Sequence, residues 1–205
     1  MKLFLYLIVL GSVLALYIDV ILLTDYVFYF HLGEQYSNTR IEQMLEFRSR
    51  WLWLTYLIAP IITFFKILIP ASLVYLGLYL SNLRYSFSYV FKACVIAEFV
   101  LLLPILIKIL WFEFVEPSFT LEEFNSFYPL SLYSLFDSSL LEKWFHYPFK
   151  ALNVFEIGYW FALAGSLALV LSLDFSQMFR VVISYYGAYF VCWILFVVFI
   201  SLSIY

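Results

Sequence analysis

The stretch from Trp51 to Leu80 and its return partner from Ser86 to Phe112 are apolar runs that carry Pro60, Lys66, Pro70, Lys92, Glu98, Pro104 and Lys108. Both are too long and too apolar for the core of a soluble domain, so they predict membrane-spanning helices. With a tight turn near Asn82 joining them, residues equally far from Asn82 share one membrane depth. Lys66 and Glu98 each stand 16 residues from it, and Pro60 and Pro104 each stand 22. At roughly 1.5 Å of rise per residue, 16 residues is about 24 Å, which carries both charges deep into the hydrocarbon. A lone charge there is costly, so Lys66 and Glu98 are expected to form a buried ion pair. Pro70 lacks the N–H that would serve the carbonyl four residues back. That carbonyl belongs to Lys66, so a free acceptor lies beside the lysine.

The rest of the chain has the same character. Hydrophobic residues make up 66% of the 205, charged residues only 12%, and mean hydropathy is +0.99, which sets a globular domain aside. The expectation is an all-α polytopic membrane protein, a single membrane domain over residues 1–205. Its five spans cover about 3–24, 51–80, 86–112, 152–173 and 179–204, with extramembrane loops at 33–50 and 113–150 that carry short interfacial helices. The net charge of −3 is scattered over the loops and not gathered into a basic stripe, which speaks against nucleic acid and against an anionic-lipid clamp; the expected partners are other integral membrane proteins and lipids. Cys94 and Cys192 fall inside apolar segments and read as small fillers. His31 and His146 each stand alone, so neither a metal site nor a cofactor is expected, and no small-molecule substrate is identified.

The first loop carries Thr39-Arg40-Ile41-Glu42, a capping-box pattern, with no breaker before Trp51. One continuous rod is therefore predicted to project from the membrane into the second span, with Trp51 and Trp53 at the headgroup layer. The second loop sets Glu113, Glu116, Glu122, Glu123, Asp137 and Glu142 among many aromatics. Thr120 with Glu123 and Ser139 with Glu142 fit capping boxes, and Pro129 and Pro148 supply stops, so two short helices are expected there. Leu140, Leu141, Trp144 and Phe145 would form one apolar face against a membrane surface or another protein. Glu122, Glu123, Leu141, Trp144 and Phe145 are the candidate partner contacts.

In the last two spans, Gly158, Ala162 and Ser166 repeat every four positions, and so do Ser184, Ala188 and Cys192. Reflected about a turn near residue 175, the rows match in depth, which predicts that they pack against each other. Glu156, one turn into its span, is expected to reach the interface. Lys2 before an apolar run and a long acidic aromatic loop point to a cytoplasmic N-terminus in the cell (inner) membrane.

Leu152-Asn153-Val154-Phe155-Glu156, followed by Tyr159, a span rich in Gly and Ala, a short turn and a last aromatic span, resembles the Ypt-interacting (Yip) domain family. The resemblance covers mainly the C-terminal third, and the five-span plan agrees. It implies a non-enzymatic membrane protein that acts through partners, possessing no catalytic residues to carry over. Consistently, the spans lack a His-Glu-x-x-His pair, a Gly-x-Ser-x-Gly elbow and paired aspartates. The function expected first is an accessory or scaffold subunit of a larger membrane complex, in protein trafficking, secretion or translocation, with other integral membrane subunits as partners. The alternative is a small-solute or ion transporter using the Lys66/Glu98 pair.

Overall fold

The computed structural model describes residues 2–33, 36–136 and 141–204. Backbone groups in hydrocarbon have no water to bond, so a spanning chain must close its hydrogen bonds within itself. In chain order the helices are α1 (Lys2–Leu22), α2 (Asp25–Leu32), α3 (Asn38–Leu80), α4 (Phe87–Val115), α5 (Leu121–Ser126), α6 (Lys143–Ala151), α7 (Val154–Leu171) and α8 (Phe175–Ser203). Five of them, α1, α3, α4, α7 and α8, are long and apolar enough to cross a membrane. The fold is all-α and polytopic, and among the described residues the only β-type pairing is a single bridge between Ser131 and Asn153.

Helix ends follow local chemistry. Helix α3 runs unbroken for 43 residues through both Pro60 and Pro70. It starts at Asn38, because the N–H groups of Arg40 and Ile41 already bond to the Ser37 carbonyl at 2.9 and 3.1 Å. Thr39 and Glu42 therefore lie inside the first turn, and the capping box expected of them does not form. Asn82, at φ 60°, ends the hairpin strand of chain in a left-handed turn closed by Leu83 N–H on the Leu78 carbonyl at 2.9 Å. Ser172, at φ 55°, ends α7 in the same way. In α4, Pro104 cannot donate to Val100, and the chain tightens to a 3₁₀ turn over Phe99–Leu102 immediately after Glu98. Helix α8 loosens to a π turn over Val182–Gly187.

Helix α2 has no counterpart in the sequence reading. It folds back on α3, where the Arg48 guanidinium lies 4.7 Å over the Phe28 ring and donates to the Asp19 carboxylate at 3.2 Å and the Leu23 carbonyl at 3.1 Å.

Helix α4 is the axis of the bundle, packed between α3 and α7. One core cluster joins Leu7, Ile67, Val74, Val90, Leu163 and Met178 from all five spans; a second, at the other end, gathers Leu14, Ile109, Phe112, Phe119 and Phe124 under the 113–150 loop.

The small-residue rows do not face each other. Ser166 donates to the Ala93 carbonyl of α4 at 2.9 Å, and a Cβ at Gly158 would meet Val100 of α4 at 3.4 Å, while Ala162 is half-buried against the same core. Ser184, Ala188 and Cys192 are exposed on the outer side of α8. Reflection about a turn fixes depth but not the face a helix presents, and the π turn in α8 rotates everything after it.

The loop also differs in detail. The Thr120/Glu123 capping box is formed, with Glu123 N–H on Thr120 Oγ1 at 3.2 Å and Thr120 N–H on Glu123 Oε2 at 2.7 Å. The Glu123 carboxylate is thus occupied within its own helix, whereas Glu122 is exposed. Asp137, Ser139 and Leu140 lie outside the described residues. Leu141 precedes α6, so it does not share a helical face with Trp144 and Phe145, which stack on each other with centroids 3.6 Å apart. Pro148 sits inside α6 instead of ending it.

Candidate functional site

Asn153 sets the start of α7. Its Oδ1 accepts the Glu156 N–H at 2.8 Å, and its Nδ2 donates to the carbonyls of Lys150 and Ala151 at 3.1 and 3.0 Å. From that start the part-buried Glu156 side chain bonds to groups of α7 and α8. Its Oε1 accepts the Trp160 indole N–H at 2.9 Å and the Tyr186 hydroxyl at 2.8 Å. Within a helix, residues four apart share a face, so Trp160 follows from the spacing. Tyr186 arrives from α8.

Glu98 comes from α4, the helix packed against α7. Its side chain is 6% exposed, and its Oε1 lies 2.5 Å from Lys66 Nζ of α3. Glu156 has no ion-pair partner among the described residues, its carboxylate being held by the neutral donors Trp160 and Tyr186. Tyr159 completes the cluster. Its ring is 5.2 Å from that of Tyr186, and its buried hydroxyl has no hydrogen-bond partner among the described residues.

Lys66 opens the cluster outward, its side chain being 54% exposed. It borders a groove of about 240 Å³ between α1, α3 and α4, whose α3 wall carries Thr55, Tyr56 and Thr63. The Tyr56 hydroxyl donates to Asp19 at 2.9 Å, and Asp19 is ion-paired with Arg48 at 3.2 Å. A line of polar side chains therefore leads from Lys66 to the end of the bundle under the 113–150 loop.

Chemically, the cluster holds two carboxylates and one ammonium. Fully ionised, it would keep one uncompensated negative charge in a low-dielectric interior, which is strongly unfavourable. A proton on one carboxyl, or a bound cation, removes that cost.

Of the residues singled out from sequence, Lys66 and Glu98 are in contact. The two small-residue rows, and Leu141 with Trp144 and Phe145, do not form the joint faces expected of them. Glu156, Tyr159 and Tyr186 were not anticipated as a site. The Glu156/Trp160 spacing was a usable signal, but nothing local to Tyr186 points at Glu156. Compared with family models, with curated proteins and with solved structures, the chain matches none.

Proposed function

We propose that this integral membrane protein takes up and releases a proton within its helical bundle and belongs to the class of small-solute or ion transporters. Lys66, Glu98 and Glu156 are the exchanging groups. The observation that carries this is the charge count. A Lys–Glu pair alone satisfies itself and needs no function, but Glu156, bonded to the neutral donors Trp160 and Tyr186, adds a part-buried carboxylate with no ion-pair partner among the described residues. Such intramembrane ionisable groups mark ion and proton pathways by default. The groove from Lys66 to Tyr56 supplies access from one side. In this proposal Met1, Asn82 and Asp174 face the cytoplasm of the cell (inner) membrane, and no bond-making chemistry is involved.

The test is reconstitution in liposomes that enclose a pH-sensitive dye, with potassium or sodium gradients imposed. Wild-type protein should move protons against at least one gradient, and Glu98→Gln and Glu156→Gln should each abolish the movement. Proteoliposomes that stay tight to protons under every gradient would overturn it.

A second function, accessory or scaffold subunit, is favoured by one separate observation. The final helical stretch Ala188–Ile204 contributes no buried residue among those described, and Ser184, Ala188 and Cys192 look outward, a surface of the kind another membrane helix packs against. Exposed Glu122 and the stacked Trp144 and Phe145 would add contacts outside the spans. This alternative agrees with the partner-mediated role that resemblance to the Yip domain family implies. Disulfide cross-linking through Cys192 in native membranes tests it, and recovery of the protein only as an uncross-linked monomer would reject it.

A further inference from the structure

A cavity of about 370 Å³ lies where α1, α4 and the 113–150 loop meet. Lys108 of α4 and Lys150 of α6 both border it, and neither has a carboxylate within ion-pair distance among the described residues. Aromatic faces hold them instead. Lys108 Nζ donates to the Phe124 carbonyl and lies 3.9 Å over the Phe124 ring. Lys150 Nζ lies 4.4 Å over the Tyr128 ring and 4.6 Å over the Tyr133 ring. The Tyr128 ring is also 5.9 Å from Lys108 Nζ, so two ammonium groups converge on one ring and repel each other. Ring faces orient a cation without cancelling its charge. Each ammonium has three donors, and Lys108 spends one of them on Phe124. Two positive charges with donors to spare therefore share one cavity.

Depth and wall chemistry select the ligand. Lys108 and Tyr56 each stand 26 residues from Asn82, near the level that Trp51 and Trp111 mark as the headgroup layer. Pro104 and Ile105, about one turn deeper on α4, line the cavity together with Ile18 and Phe155. Charge at the membrane edge above an apolar wall matches a phospholipid end-on. We propose that Lys108 and Lys150 bind the phosphate of an anionic phospholipid headgroup, with its glycerol and first methylenes against Ile18, Pro104, Ile105 and Phe155. A soluble phosphate compound offers the same phosphate chemistry but leaves that wall unused. Basic pockets between spanning helices are sites of this kind.

The experiment places the full chain in phosphatidylcholine nanodiscs with and without phosphatidylglycerol. Retained lipid is counted by native mass spectrometry, and the unfolding midpoint is followed against phosphatidylglycerol content. Wild-type protein should retain one phosphatidylglycerol and gain a saturable stabilisation that fades with salt. Lys108→Gln and Lys150→Gln should each weaken retention about fivefold. Lys92→Gln, which removes an exposed lysine elsewhere on α4, should leave it unchanged. Should Lys108→Gln fail to fold, Lys150→Gln against Lys150→Arg carries the test, the arginine retaining lipid. Equal retention by wild type and by the lysine-to-glutamine variants, or an equal loss in Lys92→Gln, overturns the site. Inorganic phosphate that stabilises the protein in neutral nanodiscs and displaces phosphatidylglycerol would instead assign the pocket to a soluble phosphate compound and overturn the lipid.

Discussion

The Tyr186 hydroxyl donates to the Glu156 carboxylate at 2.8 Å, tying α8 to α7, while the Tyr159 hydroxyl one ring away has no partner among the described residues. Removing a bond to a carboxylate leaves that carboxylate under-solvated, so Tyr186→Phe should cost about 1–3 kcal/mol. Tyr159→Phe removes only an unsatisfied group and should be neutral or stabilising within about 0.5 kcal/mol. Equilibrium unfolding in detergent measures both. A Tyr159→Phe loss as large as that of Tyr186→Phe would mean that the Tyr159 hydroxyl holds a water or an ion.

Lys66 and Glu98 should behave as a coupled pair in a double-mutant cycle. Lys66→Met leaves the Glu98 and Glu156 carboxylates without a cation, Glu98→Gln leaves Lys66 without the partner it touches, and the double variant removes both charges of that contact. The expected coupling is about 1–3 kcal/mol, the single changes together costing more than the double. If transport is the function, the double variant folds and remains inactive. Additive single effects would contradict the 2.5 Å contact.

Two glycines make opposite predictions about packing. A Cβ at Gly77 would collide with the Tyr185 ring, whereas one at Gly165 would meet nothing within 4 Å. Gly77→Ala should destabilise by about 1–3 kcal/mol through overpacking, and Tyr185→Ala in the same chain should relieve part of that loss. Gly165→Ala should be neutral or stabilising by up to about 1 kcal/mol, since alanine is the better helix former. Thermal unfolding of these three variants beside the unchanged protein decides it.

The Thr120/Glu123 box gives α5 a local pH dependence. Hydrogen bonds from Thr120 hold the Glu123 carboxyl below its ordinary value. With the folded value depressed, the stabilisation is present above the unfolded carboxylate range and is lost as pH falls through the folded value. A spin label at Asn125→Cys, in a Cys192→Ser background, should become more mobile on acidification through that range. With Thr120→Ala it should be mobile at every pH, as loss of a helix cap costs about 1 kcal/mol.

Some features were legible because they depend on length and local chemistry alone. Runs of apolar residues longer than the hydrocarbon is thick must be helices that cross it, and counting from Asn82 set Lys66 and Glu98 at one depth. The cap at Thr120 was readable for the same reason, since its partners lie three residues apart.

What tertiary structure decided was azimuth. Ser184, Ala188 and Cys192 form a row by spacing, but which neighbour a row meets depends on helix rotation, and the π turn over Val182–Gly187 resets that rotation. Glu156 lies near the start of its span, and which groups its carboxylate bonds was set by packing, since the Tyr186 hydroxyl reaches it from α8, 30 residues on. Lys108 and Lys150 are 42 residues apart, in a span and a loop, and only folding of the loop over α4 brings both to one cavity. Sequence by itself determines which segments are long and apolar enough to cross a membrane and how far along its helix each residue sits, because hydrophobic length and helical rise are properties of a single helix. Which charges meet is settled by packing between helices, where side-chain shape sets the rotation of each one.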